Sequence, residues 1–217
     1  MKLFGYWRSS AAYRVRIALN LKNIDCEYVS VHLVKNGGEQ HNEEYVALNP
    51  THLVPTLIDE TVDGELVLNQ SMAILDYIDN QYTQSPLYPE NIYDKAQVQA
   101  IALDIACEIH PVNNLRVQQY LVKTLGIEEL DKSAWSHHWM GIGFTALEEK
   151  LKKVSGKFCY GDQITIADLC LVPQVYNANR FKVDMSAFPL INSIVERCNK
   201  IPAFIKAMPE NQADAAL

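Results

Sequence analysis

The chain opens on a short apolar stretch, Lys2 to Tyr6, whose aromatic and aliphatic residues read as a buried strand. A helical period follows. Val15, Ala18, Leu19 and Lys22 fall on one side, Ile17 and Leu21 widen the apolar face, and Asn23 ends the run. Val29, Val31 and Leu33 then alternate with Tyr28, Ser30 and His32, a period of two that predicts a second strand. Gly37-Gly38 reads as a loop, and a short helix of weak pattern comes after it. Thr56 to Asp59 and Leu66 to Leu68 predict two strands joined across Asp63-Gly64, a hairpin signal. From Ser71 the helical period returns, with Met72, Leu75 and Ile78 on one face. The first strand-helix-strand unit must pair its strands in parallel through a right-handed crossover, and the last two strands are antiparallel. Residues 1–83 therefore read as one small α/β domain of order βαβαββα.

Thr83 to Pro89 carries two prolines and breaks the pattern, so residues 84–91 read as a linker. Beyond it only helical signals occur: Ala96 to Ile109, Trp135 to Val154, Ala167 to Ala178 and Pro189 to Lys200. Residues 92–217 read as an all-helical domain whose tail, Pro209 to Leu217, is expected to fray. One helix start is well specified. Thr165-Ile166-Ala167-Asp168 spells a capping box with Asp in the place of the usual Glu or Gln, and Ile164 and Leu169 flank it as a hydrophobic staple. No internal repeat is visible. The fold class is α/β plus all-α.

Composition narrows the partners. The 217 residues are 48% hydrophobic and 21% charged, ordinary for a globular chain. A net charge of −7 argues against a nucleic-acid or other polyanion binder, although a local arginine cluster can still hold a small anion. No apolar run reaches the roughly 18 residues of a membrane span. The N-terminus lacks an apolar core followed by a cleavage site, which predicts a cytoplasmic protein. Cys26, Cys107, Cys159, Cys170 and Cys198 are odd in number and scattered, so neither a disulfide framework nor a metal site is expected.

Three short segments can carry chemistry. Ser9-Ser10 stands between the first strand and the first helix. On its own the pair is an ordinary N-cap. The same position also offers unpaired amides and the positive end of a helix dipole, which stabilise a thiolate. No cysteine lies nearby, so that thiol would arrive on a ligand. Val54-Pro55-Thr56 is a strand entry, and a cis bond there would leave the Val54 amide and carbonyl to pair with an extended peptide ligand. Gln70-Ser71 starts a second helix and is again either a cap or an anion site. Arg8, Arg116 and Arg180 are surface charges taken singly, and a carboxylate clamp if they converge. His110 sits among polar residues at an expected helix break at Pro111. No Ser-His-Asp grouping, phosphate-binding glycine loop or metal-ligand spacing competes with these segments.

Taken together, the strand leading into Ser9-Ser10-Ala11-Ala12-Tyr13-Arg14-Val15-Arg16-Ile17-Ala18-Leu19 resembles the zeta class of glutathione transferases. So do Ala47-Leu48-Asn49-Pro50, Val54-Pro55-Thr56, Asn69-Gln70-Ser71, the run Asp168 to Val175, and Arg180 to Asp184. The resemblance spans nearly the whole chain. It implies the glutathione transferase fold, with a thioredoxin-like N-terminal domain and an all-helical C-terminal domain, and a homodimer. It implies glutathione as a regenerated co-substrate, with Ser9 and Ser10 at the thiol as the catalytic pair and Gln40 further along the tripeptide. Val54 would pair with the cysteinyl backbone, and Gln70 and Ser71 would hold the γ-glutamyl carboxylate. His110, Asn114, Leu115, Arg116, Val117 and Gln118 would close the site from the helical domain. Arg8, Arg116 and Arg180 would take the carboxylates of a small dicarboxylic keto acid. The implied activity is glutathione-dependent cis–trans isomerisation of maleylacetoacetate, with maleylpyruvate isomerisation or general conjugation as alternatives and a non-catalytic interaction module as a third reading. Many members carry Ser-Ser-Cys where this chain has Ala11, which argues against a protein thiol in the chemistry and against the tetrachlorohydroquinone dehalogenase relatives.

Overall fold

A computed structural model describes residues 1–216, and the chain divides into two compact units. The first comprises Met1–Pro86 together with Ile201–Leu217, and the second comprises Leu87–Lys200.

In the first unit β1 (Lys2–Gly5) leads through α1 (Ser10–Leu21) to β2 (Glu27–Ser30), and β1 and β2 pair in parallel. The short helix α2 (Glu43–Leu48) precedes β3 (Thr56–Thr61), β4 (Gly64–Asn69) and α3 (Ser71–Gln81). The sheet order is β2-β1-β3-β4, with β3 antiparallel to both of its neighbours. The hairpin turns through Val62 and Asp63, and Gly64 takes φ 116° opposite Thr61, a backbone conformation that favours glycine. Leu3, Val15, Leu19, Leu57, Ile74 and Ile78 form the core between sheet and helices. Each contributes about 1.5–3 kcal/mol by leaving water.

Lys22, on the core side of the predicted α1 pattern, is buried because it is fully partnered. Its ammonium pairs with Asp79 at 2.7 Å and donates to the carbonyls of Tyr82, Gln84 and Ser85 at 2.6, 2.9 and 3.2 Å. It thereby anchors the segment that follows α3. The second strand stops at Ser30 and not at Leu33, as the alternation had predicted. After Val31 donates to the Gly5 carbonyl at 2.7 Å, the His32 amide turns to the Glu39 carboxylate at 2.6 Å. The His32 ring in turn accepts from the amides of Val34 and Lys35 at 3.3 and 2.8 Å. Side-chain hydrogen bonds outcompete the ladder there.

The second unit is helical: α4 (Ile92–Leu103), α5 (Leu115–Lys123), α6 (Glu129–Val154), α7 (Ile166–Arg180) and α8 (Pro189–Cys198). Leu87 is buried, and its carbonyl accepts from the Ile166 amide at 3.1 Å, so the predicted linker stretch is pinned at Leu87. The chain continues from α4 as a π-helical stretch, Asp104–Ile109, closed by His110 N–H to Ile105 O at 2.9 Å. A Cβ on Gly143 of α6 would collide with the Ile109 side chain, so α6 packs against that stretch through a glycine. The capping box forms as predicted. The fully buried Asp168 carboxylate accepts from the Thr165 amide at 2.8 Å, the Thr165 hydroxyl at 3.1 Å and the Cys159 amide at 2.8 Å. Burial holds that carboxyl above the usual range, while those same bonds pull it back.

Three expectations are corrected. The nine-residue helix α5 lies where only polar residues around a break had been read; Asn114 caps it by accepting from the Arg116 amide at 3.2 Å. The helical domain does not run to the C-terminus, because α9 (Pro202–Ala207) belongs to the first unit and packs on α1. There the Arg16 Nε donates to the Ala207 carbonyl at 3.1 Å, and the Asn20 amide donates to the Ala203 carbonyl at 3.0 Å. The tail does not fray over its described residues either. It forms two 3₁₀ turns, Pro209–Asn211 and Ala213–Ala216, with Asp214 buried and hydrogen-bonded. Leu217 lies outside the described residues.

Candidate functional site

The strand register gathers the three segments singled out in the first unit. Phe4 of β1 is opposite Thr56 of β3, and Thr56 is opposite Asn69 of β4. Ser9-Ser10 follows the C-terminal end of β1, Val54-Pro55 precedes β3, and Gln70-Ser71 follows β4, so all three leave the same edge of the sheet. Two strand spacings span about 10 Å, and an extended tripeptide measures about the same.

Ser9 is the N-cap of α1. Its hydroxyl oxygen accepts from the Ala12 amide at 3.2 Å, and its own amide donates to the Tyr6 carbonyl at 2.8 Å. Accepting the cap bond leaves the hydroxyl proton to donate outward. Ser10 follows at the first helical position and is buried. Arg8 is exposed, with its guanidinium 4.1 Å over the Trp7 ring.

The Val54-Pro55 peptide is cis. Among the described residues no intrachain hydrogen bond uses the Val54 amide or carbonyl. The backbone on either side is braced instead. The Leu53 carbonyl accepts from the Tyr45 hydroxyl at 2.6 Å and the Asn49 amide at 2.8 Å, and the same two side chains bond the Thr56 hydroxyl at 3.0 and 3.2 Å. Asn49 is almost fully buried and also accepts from Thr51. Burial raises the Tyr45 phenol above its ordinary range and keeps it a donor.

Gln70 is exposed and takes φ 69°, ψ 112°, a left-handed conformation that is costly for a residue with a side chain. Ser71 is buried, and its hydroxyl accepts from the Arg14 guanidinium at 3.2 Å. A buried cation thus stands beside the amide-rich start of α3, which suits an anion. Gln40 is buried in a 3₁₀ turn. Its amide nitrogen is 3.4 Å from the Leu33 carbonyl and 3.1 Å from His41 Nε2, and its carbonyl oxygen has no partner among the described residues.

In the second unit His110 ends the π-helical stretch and stands next to the 3₁₀ turn Pro111–Asn113. Arg116 is exposed in the first turn of α5, and Leu115 and Val117 are half-buried. Gln118 is buried and turned toward α6, where its amide donates to the Ser136 hydroxyl at 3.1 Å. Arg180 is held by a relay. Its guanidinium donates to Asn177 Oδ1 at 3.0 Å, Asn177 donates to Asn113 Oδ1 at 2.8 Å, and Asn113 donates to the Ile109 carbonyl at 2.5 Å. The Arg180 guanidinium also lies 4.7 Å from the Phe181 ring centre.

Residues 1–80 match the family model for the glutathione S-transferase N-terminal domain, and residues 143–202 match that for the C-terminal domain. A probable maleylacetoacetate isomerase of Vibrio cholerae serotype O1 is 53% identical over 213 residues, covering 98% of this chain and 97% of that protein. A holo structure of maleyl pyruvate isomerase, described as a bacterial glutathione S-transferase in the zeta class, aligns with a TM-score of 0.93 at 42% identity over 99% of both chains. The maleylacetoacetate isomerase of Methylobacterium extorquens AM1, crystallised with malonate and GSH, aligns with a TM-score of 0.92 at 37% identity over 98% of both. The chain belongs to the zeta class of glutathione transferases.

For a zeta-class chain the division of the match is informative. The N-terminal match ends at residue 80, within α3, and so contains the whole sheet edge. The C-terminal match contains Asn177 and Arg180 but neither His110 nor the start of α5. Five residues that the sequence had not brought forward brace candidate residues: Tyr45 and Asn49 behind Val54 and Arg14 behind Ser71 in the first unit, and Asn113 and Asn177 behind Arg180 in the second. Asn49 and Arg14 lay inside motifs already noted, but nothing in their spacing revealed what they support. Among the described residues no helix is long and apolar enough to cross a membrane, and no group of three or more His, Cys, Asp or Glu could hold a metal ion.

Proposed function

We propose that this zeta-class transferase isomerises maleylacetoacetate to fumarylacetoacetate with glutathione as a regenerated co-substrate. The observation that carries the reading is the common sheet edge, which the candidate thiol-side, backbone-side and carboxylate-side segments all leave. Bound glutathione supplies a thiolate that adds to the cis double bond and departs after rotation about the resulting single bond. The chain's own residues hold and polarise. Ser9 and Ser10 donate to the sulfur at the positive end of α1. Val54 offers its unpaired amide and carbonyl to the cysteinyl backbone in the manner of an added strand. Gln70 and Ser71, backed by Arg14, take the γ-glutamyl carboxylate, and Gln40 lies further along the tripeptide.

Arg8, Arg116 and Arg180 take the carboxylates of the keto acid and the negative charge that develops next to the added sulfur. By resemblance His110 and Asn114, Leu115, Arg116, Val117 and Gln118 are further glutathione-binding residues, with the Gln118 amide also donating to the Ser136 hydroxyl. No protein thiol takes part. None of the five cysteines is in a disulfide, and burial pushes the Cys26 thiol up to about 11 and raises those of Cys159 and Cys198 as well. A reducing, cytoplasmic setting agrees with cysteines that form no disulfide. A second copy of the chain is part of the proposal, supported by the exposed apolar side chains Ile92, Tyr93 and Ile142.

A maleylpyruvate substrate is the second reading, favoured by the 42% identity to a maleyl pyruvate isomerase over nearly the whole of both chains. Glutathione-dependent loss of maleylacetoacetate absorbance, run beside maleylpyruvate, tests both. The first reading requires the higher kcat/KM for maleylacetoacetate. A preference for maleylpyruvate selects the second, and turnover of neither acid removes both.

A further inference from the structure

The C-terminal segment reaches the loop that carries the serine pair. Asp214 is 2% exposed, and its Oδ2 accepts from the Trp7 amide at 3.0 Å, the Ser30 hydroxyl at 3.1 Å and the Tyr28 hydroxyl at 3.4 Å. Its Oδ1 is buried with no hydrogen-bond partner among the described residues. A buried carboxylate with an orphan oxygen is costly, and an apolar residue would anchor a tail at lower cost. Anchoring alone therefore does not explain Asp214.

What Asp214 grips does. From the other side the buried Arg16 guanidinium donates to the Trp7 carbonyl at 3.0 Å and the Tyr6 carbonyl at 3.5 Å, and to the Ala207 carbonyl of α9 at 3.1 Å. Trp7 is thus held through its N–H by an anion and through its C=O by a cation. The loop then closes on itself, with Ser9 N–H on the Tyr6 carbonyl at 2.8 Å. Fixing Tyr6 and Trp7 fixes where Ser9 begins α1, and the Arg8 guanidinium lies over the ring of the same Trp7.

We propose that Asp214 is a positioning residue for the thiol end of the site: with Arg16 it clamps the Trp7 peptide and so sets Ser9, Ser10 and Arg8 in the arrangement that stabilises the bound thiolate. The inference rests on the assignment of Ser9-Ser10 to the thiol. Its physical content is preorganisation. Donors stabilise charge well only when they are held in place before the charge appears. The clamp also gives the C-terminal segment that carries Ala207 and Asp214, outside the βαβαββα unit in sequence, a positioning role at the thiol end.

The test compares Asp214→Ala, Asp214→Asn and Asp214→Glu in the full chain. Three quantities are read: hydrogen exchange of the Trp7 amide in the free protein, the pKa of bound glutathione from thiolate absorbance, and kcat and KM. Asp214→Ala should speed Trp7 exchange about tenfold, raise the thiol pKa by about one unit and lower kcat about tenfold. Asp214→Asn keeps an acceptor in place and should stay within about threefold of the parent in kcat. Asp214→Glu moves the acceptor by a methylene and should resemble the Ala variant. If the Ala variant does not fold, Asp214→Glu decides: a parental thiol pKa and parental Trp7 exchange overturn the clamp. A folded Ala variant with a parental thiol pKa overturns it equally. If the parent protein does not bind glutathione at all, the thiol assignment itself falls and takes this role with it, an outcome distinct from parental binding with an indifferent Asp214.

Discussion

The two units serve their proposed ligands by different physical means. In the first, the contacts are largely backbone and helix-terminus groups placed by strand register, and side chains such as Tyr45, Asn49 and Arg14 stand behind them. In the second, the contacts are exposed side chains on helices, and Arg180 is aimed by a relay of two asparagines. A sheet edge fixes positions to a fraction of a strand spacing and recognises what any peptide shares. Arginines on helices can be exchanged without disturbing a ladder, and they suit a variable acid substrate. On the proposed assignment, the difference ties glutathione recognition to the fold and leaves substrate choice to a few side chains and their supports.

The largest expected effect probes what holds the helical unit together irrespective of its ligands. Asp168→Ala orphans the buried amides of Thr165 and Cys159 and should cost about 4 kcal/mol of stability, read by denaturant titration. An effect below 1 kcal/mol would show that the box is not what fixes α7. Next comes the sheet edge. Ser10→Ala should lower kcat about 100-fold, roughly 3 kcal/mol by analogy with a lost oxyanion donor, and raise the pKa of bound glutathione. An unchanged thiol pKa in an ultraviolet titration would take Ser10 out of that role. Arg180→Ala should cut kcat/KM for the keto acid about 30-fold while leaving glutathione affinity alone, as loss of a charged hydrogen-bonding partner costs about 2 kcal/mol. If calorimetry shows glutathione binding weakened instead, the division of labour between the units breaks down. The smallest effect is expected for Ser71→Ala, about 1 kcal/mol in glutathione affinity with kcat nearly unchanged. A larger loss in kcat would mean that the start of α3 takes part in the chemistry and not only in holding the tripeptide.

Much of this was legible from residue order alone. The βαβαββα order, the hairpin at Asp63-Gly64 and the capping box at Thr165 follow from periodicity and caps, and the three candidate segments were picked out by caps and motif resemblance. Each is a local signal, readable within a few residues. The failures have the opposite character. Strand β2 was overextended because the Glu39 carboxylate, seven residues away, captures the His32 amide. Helix α5 was missed because it is short and opens beside Pro111, where a break and a new start look alike. The tail was read as fraying because Ala and Asp residues announce no packing, yet Asp214 pairs with residues about 200 positions earlier.

The sequence by itself determined which segments form strands and helices and which residue types stand at their ends, because backbone sterics and hydrophobic period act over one or two turns. Only the tertiary structure decided that Ser9, Val54 and Gln70 leave one edge, since strand order and register are set by packing between distant segments. The same holds for the buried groups behind the site. Arg14, Arg16, Asn49, Asn177 and Asp214 read as unremarkable polar residues in a string of letters. They acquire roles only where folding removes water and obliges each buried charge or amide to find a partner.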